Sequence, residues 1–100
     1  MSKLIKDGQV AVAVSYGFGA GWSTWNDVAA DDSRFTTLFV EGKHDEAFEL
    51  VEKLDLGFGA GAHQVEIEWL DVGTEYMIEE YDGSELLVTK EDRGDMWIVA

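Results

Sequence analysis

A glycine-rich segment followed by two tryptophans is the stretch of this sequence whose residue types best suit binding chemistry. It reads Gly-Phe-Gly-Ala-Gly-Trp-Ser-Thr-Trp and follows a strand-like run at Val10–Tyr16. Glycines in such a series expose successive backbone amides, and converging amides can bind an anion such as a phosphate. Tryptophans can add stacking surfaces for a nucleobase. The candidate ligand-binding residues are Gly17, Gly19, Gly21, Trp22, Ser23, Thr24 and Trp25.

The spacing of these glycines does not match the common nucleotide-binding motifs. The segment is not Gly-x-Gly-x-x-Gly, no lysine follows as in a P-loop, and no parallel strand returns as in a Rossmann unit. A structural interpretation competes with the binding one, since aromatic side chains dominate small cores and glycines suit tight corners. We favour the structural role. The same five residues recur at Gly57–Gly61, but the flanking residues differ, which argues against a true repeat.

Acidic side chains are the second group with functional potential. The formal net charge is −14, and almost all of it falls after residue 40. A field of this sign repels nucleic acid and anionic membranes and attracts basic partners. We therefore expect no direct nucleic-acid binding, no membrane binding and a protein partner with a basic surface, although the acids can also serve solubility alone. The candidate partner-binding acids are Glu66, Glu68, Glu75, Glu79, Glu80, Asp82 and Glu85.

No set of residues in the sequence predicts catalysis. There is no cysteine, so a disulfide, a thiolate zinc site and a cysteine nucleophile are all excluded. His44 and His63 are not in a metal-binding spacing, and Ser23 lacks the closing glycine of a nucleophile elbow. We expect no enzyme activity, catalytic residue, cofactor or metal. No apolar run is long enough to span a membrane, so we expect a soluble intracellular protein.

The first half of the chain predicts a strand pair followed by two helices. Alternating valines in Gln9–Tyr16, with small residues between them, indicate a central strand packed on both faces. Lys3–Lys6 can pair with it through the turn Asp7-Gly8. Apolar residues at helical spacing predict helices over Arg34–Glu41 and His44–Leu54, which form a helical hairpin.

The second half predicts an antiparallel meander of four strands. These strands cover His63–Leu70, Glu75–Tyr81, Ser84–Lys90 and Met96–Ala100, with a tight turn at Asp82-Gly83. Together with the N-terminal strand they give one α+β domain over residues 1–100. We expect an antiparallel sheet of about five strands with the helices on one face.

The register of the predicted hairpin raises a specific question. A two-residue turn at Asp82-Gly83 places Glu80 directly opposite Glu85, and like charges in this position are destabilising. We therefore favour a loop longer than two residues. The alternative is that the acidic pair serves recognition or a weak cation site.

Four segments of the sequence carry a resemblance to a known group of proteins. They are Gly19–Trp25, Glu41–Glu46, Glu79–Glu85 and Trp97–Ala100. With these segments the chain resembles small, largely uncharacterised proteins of tailed bacteriophages and prophages. The resemblance implies a phage accessory protein that works in the cytoplasm of a bacterial host, and it brings no catalytic residues with it.

Charge and resemblance together suggest a function. We expect a small acidic phage accessory protein that acts by binding, as an inhibitor of a host nucleic-acid-handling or defence protein of the anti-CRISPR or DNA-mimic type. One alternative is a module that binds a nucleotide signal through Gly17–Trp25. Another is a virion or assembly component, and whether the chain forms a homo-oligomer is left open.

Overall fold

Residues 3–90 are the part of the chain that the computed structural model describes, and they contain five strands in antiparallel pairs, two α-helices and one 3₁₀ helix. This confirms the predicted α+β class. The last predicted strand, Met96–Ala100, lies outside the described residues. None of the helices within residues 3–90 is long and apolar enough to cross a membrane. In chain order the elements are β1 Ile5–Lys6, β2 Gln9–Ser15, α1 Ser33–Val40, α2 His44–Lys53, a 3₁₀ helix at Gly59–Gln64, β3 Val65–Asp71, β4 Tyr76–Tyr81 and β5 Ser84–Thr89.

The strands are divided between two sheets. One has the order β1-β2-β3, and the other is the hairpin β4-β5. The expected continuous meander is therefore corrected, because β3 pairs with β2 along its whole length and β4 pairs with β5. The physical reason lies in β2, which is apolar on both faces and needs a covering layer on each. The helices cover one face and the hairpin folds over the other.

Strand β2 is central, as its composition predicts. From Val10 to Ser15 it is buried at every position. Its valines share a face with Leu70, Glu68 and Glu66 of β3, and its alanines share the other face with Trp69 and Ile67. The small side chains allow the helical layer to approach closely.

The helical layer begins at a well-defined cap. Asp32 is the N-cap of α1, and its carboxylate accepts a hydrogen bond from the amide of Arg34. The same carboxylate forms an ion pair with the guanidinium of Arg34 at 2.7 Å. Burial works to raise the pKa of Asp32, but the hydrogen bonds and charge of Arg34 outweigh it and lower the pKa. Gly42 ends the helix at φ 77° in a Schellman motif.

The core beneath the helices consists of Ala13, Trp22, Val28, Phe35, Phe39, Ala47, Val51, Ala62 and Val65.

A second core lies between β2 and the hairpin. Val10, Val12 and Val14 are buried there, together with Ala30. The β4–β5 turn has two residues, Asp82 at φ 49° and Gly83 at φ 87°. The partly buried side chains that pack on this core are Tyr16, Leu70, Tyr76, Ile78 and Leu87.

The expectation of a longer hairpin loop is wrong. Glu80 lies opposite Glu85 with Tyr81 opposite Ser84 on the turn side. The pair is tolerated because the two carboxylates have different environments. Glu80 is exposed and accepts the amide of Gly83 at 2.8 Å, whereas Glu85 is buried and bonded to another part of the chain.

Tyr76 links the hairpin to the segment before α1, and its ionisation makes the stability of the fold depend on pH in the alkaline range. Its hydroxyl donates to Asp31 at 3.2 Å, and burial together with the charge and hydrogen bond of Asp31 raises the pKa of Tyr76 to about 12. An unfolded tyrosine titrates near 10, so the unfolded state loses its proton first as pH rises. We expect the free energy of unfolding to fall as the pH rises from about 10 to about 12, and to fall less steeply in Tyr76→Phe. Urea unfolding at a series of pH values measures both slopes, and parallel curves would contradict the prediction.

Candidate functional site

The glycine-rich segment binds an anion, and that anion is the carboxylate of Glu85. Oε1 of Glu85 accepts the amide of Ser15 at 2.9 Å. Oε2 accepts the amide of Trp22 at 2.8 Å, the amide of Thr24 at 3.1 Å and the hydroxyl of Thr24 at 2.5 Å. The Glu85 residue is only 1% exposed. Convergent neutral donors of this kind stabilise a carboxylate that burial has removed from water.

The hairpin turn holds Glu85 in this position by packing against the glycine-rich segment. The amide of Gly19 donates to the carbonyl of Asp82 at 2.8 Å, and the hydroxyl of Ser84 donates to the carbonyl of Tyr16 at 3.0 Å. A Cβ on Gly83 would lie 2.4 Å from the backbone nitrogen of Ala20, so only glycine allows this contact. The segment and the turn therefore form one closed structural unit.

The prediction that Glu85 is an exposed partner-binding residue is wrong. Its side chain is on the inner face of the hairpin, which it shares with Leu87 and the opposite residues Ile78 and Glu80. One signal in the sequence points this way: Glu85 and Leu87 alternate onto the same strand face as Ile78. The chain itself supplies the anion that the amides of Trp22 and Thr24 bind.

Trp22 belongs to the core and offers no stacking surface to a ligand. It is fully buried and makes edge-to-face contacts with Phe35 and Phe39 at ring-centroid distances of 5.2 and 5.0 Å. The nucleobase-stacking role considered for Trp22 is therefore corrected, and its position agrees with the structural interpretation of the segment. Trp25 is exposed, by contrast.

The other candidate ligand-binding residues are spread around this unit. Gly21 is buried, and a Cβ there would lie 2.6 Å from the hydroxyl of Thr24. Gly17 is half-buried against the side chain of Gln64, and Gly19 is exposed at φ 96°. Ser23 is half-buried and Thr24 is exposed apart from its bonds to Glu85. The amides of Trp22 and Thr24 already donate to Glu85, so they are not available to bind a phosphate.

The remaining six candidate acids stay at or near the surface but do not share one face. Glu79 and Glu80 are consecutive strand residues and point to opposite sides of the hairpin. Glu75 pairs with Lys90 at 2.8 Å. Glu66, Glu80 and Asp82 are exposed, and Glu68 and Glu79 are half-buried.

Glu68 has a structural partner in Tyr16. The hydroxyl of Tyr16 donates to Oε1 of Glu68 at 2.5 Å. Burial, this hydrogen bond and the nearby carboxylates raise the pKa of Tyr16 far above its usual range. Glu68 thus contributes to anchoring Tyr16 as well as to the surface charge.

The outer face of the hairpin carries an apolar surface that sequence reasoning missed. We define this outer face as Met77, Glu79, Tyr81, Leu86 and Val88, which alternate away from β2. Tyr81 is 78% exposed and Leu86 is 55% exposed. The signal was present in the period-two pattern of β4 and β5, in which both strand faces are rich in apolar residues.

A groove of about 530 Å³ lies where the glycine-rich segment meets the hairpin. Phe18, which is 66% exposed, projects beside it. The groove is continuous with the outer face, since both include Glu79, Tyr81 and Leu86. Its lining residues are Tyr16, Phe18, Glu79, Glu80, Tyr81, Ser84, Glu85 and Leu86.

The histidines have structural contacts. Nε2 of His44 is 3.1 Å from the carbonyl of Val65, and Nε2 of His63 is 2.9 Å from the carboxylate of Asp45. Within residues 3–90, no three His, Asp or Glu side chains come together in a way that could hold a metal ion.

Comparison of the chain with protein-family models, with curated proteins and with solved structures finds no match in any of the three. Function must therefore be inferred from the residues and their geometry.

Proposed function

We propose that this chain is a small phage accessory protein that acts by binding a host protein with a basic surface, as an inhibitor of a nucleic-acid-handling or defence protein. The observation that carries the proposal is the outer face of the hairpin, where exposed apolar side chains stand on a strongly acidic protein. Exposed apolar patches with polar surroundings are typical of protein interaction sites.

The composition of this surface specifies the chemistry of the partner. Leu86, Tyr81 and Met77 supply apolar contact area. Glu79 lies among them, and Asp82 is exposed at the adjacent turn. A matching partner has apolar side chains at the centre of its surface and lysines or arginines around them. The net charge of −14 accelerates encounter with such a surface.

The nucleotide-binding alternative has less support in the geometry. Its two main elements were free amides and stacking tryptophans in Gly17–Trp25. The amides of Trp22 and Thr24 bind Glu85, and the indole of Trp22 is buried. An anionic ligand would also approach against the field of the whole protein.

Site-specific photo-crosslinking tests the proposal. A benzophenone amino acid at Leu86, on the outer face, is compared with the same group at Thr37, which is exposed on α1 in the helical layer. We expect a bacterial protein with a basic surface to be crosslinked from position 86 and not from position 37. The double charge reversal Glu79→Lys and Asp82→Lys should abolish that product, because both changes place positive charge against a basic partner.

Binding of the purified partner then provides a quantitative check. Raising the salt concentration from 50 to 300 mM should weaken binding by about tenfold, since screening reduces contacts between opposite charges. Equal crosslinking from positions 86 and 37 would overturn the proposed binding surface. So would an affinity that changes neither with salt concentration nor with charge reversal.

A further inference from the structure

We infer that the outer edge of β3 binds an extended segment of a basic protein, which joins the three-stranded sheet as an added antiparallel strand. This surface shares no residue with the outer face of the hairpin, so the inference goes beyond the proposed function and does not depend on it. Strand addition to a sheet edge is a recurring way of recognising extended peptides, because backbone hydrogen bonds give affinity and alternate side chains give specificity.

The backbone of β2 shows which groups of β3 are unpaired. The amides of Ala11 and Ala13 donate to carbonyls outside β3, and therefore point away from it. In an antiparallel pair, two residues directly opposite each other exchange either both hydrogen bonds or none. Trp69 and Ile67 lie opposite these alanines, so their N–H and C=O groups point away from β2. Within residues 3–90, no other hydrogen bond reaches these groups.

The open part of the edge has a defined length. At its start, Nε2 of His44 lies 3.1 Å from the carbonyl of Val65. At its end, the amide of Thr74 donates to the carbonyl of Asp71 at 3.0 Å. Residues 66–70 lie between these contacts and can pair with an added strand of about five residues, which is roughly 17 Å long.

The two faces of this segment specify the side chains of the added strand. Glu66 and Glu68 share the face towards the hairpin, and the charges of both act on the hydroxyl of Tyr16. Tyr16 occupies one oxygen of Glu68, whereas Glu66 is exposed and has no hydrogen bond or ion pair in the described part of the chain. Ile67 and Trp69 share the opposite face and are half-buried. A matching strand therefore alternates lysine or arginine with apolar residues.

Charge complementarity favours a basic segment over a second copy of this chain. Pairing of β3 with β3 of another copy would bring Glu66, Glu68 and Asp71 of both copies along one line of contact. Like charges across a strand pair are destabilising, and each copy has a net charge of −14. The same acids that oppose self-pairing of this edge attract a strand that carries lysines.

Hydrogen exchange in the presence of the peptide Ac-Lys-Val-Lys-Val-Lys-NH₂ tests the site. The peptide can place its lysines beside Glu66 and Glu68 and its valines opposite Ile67 and Trp69. In the free protein we expect fast exchange at the amides of Ile67 and Trp69 and slow exchange at the amide of Glu68, which points towards β2. Peptide at about ten times its dissociation constant, measured by NMR titration, should slow the two fast amides by about tenfold.

Methylated peptides separate strand addition from a general attraction between charges. In an antiparallel pair the valines opposite Ile67 and Trp69 direct their N–H groups at β3, whereas the central lysine directs its N–H away. N-methylation of the first valine should therefore weaken binding by about tenfold, since it removes one hydrogen bond and adds a clash. N-methylation of the central lysine is the matched control, with the same charge and mass, and should change the affinity by less than about threefold.

Charge reversal tests the role of the acids on the edge. Glu66→Lys should weaken peptide binding by about tenfold, because it opposes the lysines of the peptide. Glu52→Lys makes the same change at an exposed position on α2 and should have an effect below about threefold. The spectra used for the titration show whether each variant is folded.

Three results would overturn the site: unchanged exchange at Ile67 and Trp69 with peptide bound, equal binding of the two methylated peptides, or equal effects of Glu66→Lys and Glu52→Lys. Protection of these two amides that rises with protein concentration in the absence of peptide would overturn the basic occupant in favour of a second copy. Crosslinking from position 86 is a separate measurement, so the edge site and the proposed function can fail independently.

Discussion

Replacing Glu85 by alanine is expected to destabilise the fold by about 3–5 kcal/mol, because its carboxylate is the shared acceptor for the buried amides of Ser15 and Trp22. The donors on Ser15 and Trp22 belong to fully buried residues. A hydrogen bond to a charged group contributes about 1.5–3 kcal/mol, and two buried donors left unsatisfied account for the expected range. The donors on Thr24 add less, since this residue is exposed and water can replace the acceptor.

Glu85→Gln refines the prediction by keeping the shape of the side chain. Its single carbonyl oxygen can replace Oε2 and keep the bonds to Trp22 and Thr24. Its NH₂ group then faces the amide of Ser15, so one buried donor meets another donor. We expect a cost of about 1–3 kcal/mol, between the wild type and the alanine variant.

Urea unfolding followed by circular dichroism measures these free energies, and hydrogen exchange shows which amides lose protection. The amides of Ser15 and Trp22 should lose protection in Glu85→Ala before the amides of α2 do. Glu66→Ala is the matched control, because it removes the same charge from an exposed position on β3 and should change stability by less than about 0.5 kcal/mol. If Glu85→Ala proved no more costly than Glu66→Ala, the carboxylate would not organise the segment.

The Glu85 site shows what the sequence could and could not predict about function. The anion-binding potential of Gly17–Trp25 follows from local residue types. The identity of the anion does not, because Glu85 is 63 residues from Trp22 and approaches it only when the hairpin folds over β2. The net charge of the sequence indicated that the surface is acidic overall, but it could not distinguish a buried acid from an exposed one.

The fold shows the same division between local and non-local information. The turn positions at Asp7-Gly8 and Asp82-Gly83, and the start and end of α1 to within a residue or so, were predicted, since each depends on a few adjacent residues. The pairing of β3 with β2 was not, because alternation identifies a strand without naming its neighbour. The outer face was missed for a related reason: apolar residues on both strand faces did not show which face remains exposed.

The second large effect is expected at Gly61, where the two Gly-Phe-Gly-Ala-Gly segments contact each other. A Cβ on Gly61 would lie 2.1 Å from the carbonyl oxygen of Gly21 and 2.7 Å from its carbonyl carbon. Both obstacles are backbone atoms, so neither can rotate away. We expect Gly61→Ala to cost about 3 kcal/mol, at the upper end of the usual range for overpacking a core.

Gly42→Ala provides the contrast, since the two glycines are needed for different reasons. Gly42 has φ 77°, and a Cβ added there would meet no atom of residues 3–90 within 4 Å. Alanine at this position therefore suffers backbone strain alone, about 1 kcal/mol. Gly61 has no positive φ, so its cost arises from close approach alone. Equal effects of the two substitutions in urea unfolding would contradict this assignment.

A double variant tests whether Gly61 and Glu85 support the same segment. Gly21, which Gly61 contacts, immediately precedes Trp22, whose amide binds Glu85. Displacing Gly21 should therefore weaken the same hydrogen bond that Glu85→Ala removes. We expect the two substitutions together to cost less than the sum of their separate effects, by about 1 kcal/mol. Strict additivity would mean that the contact between the two glycine segments and the buried carboxylate stabilise the fold independently.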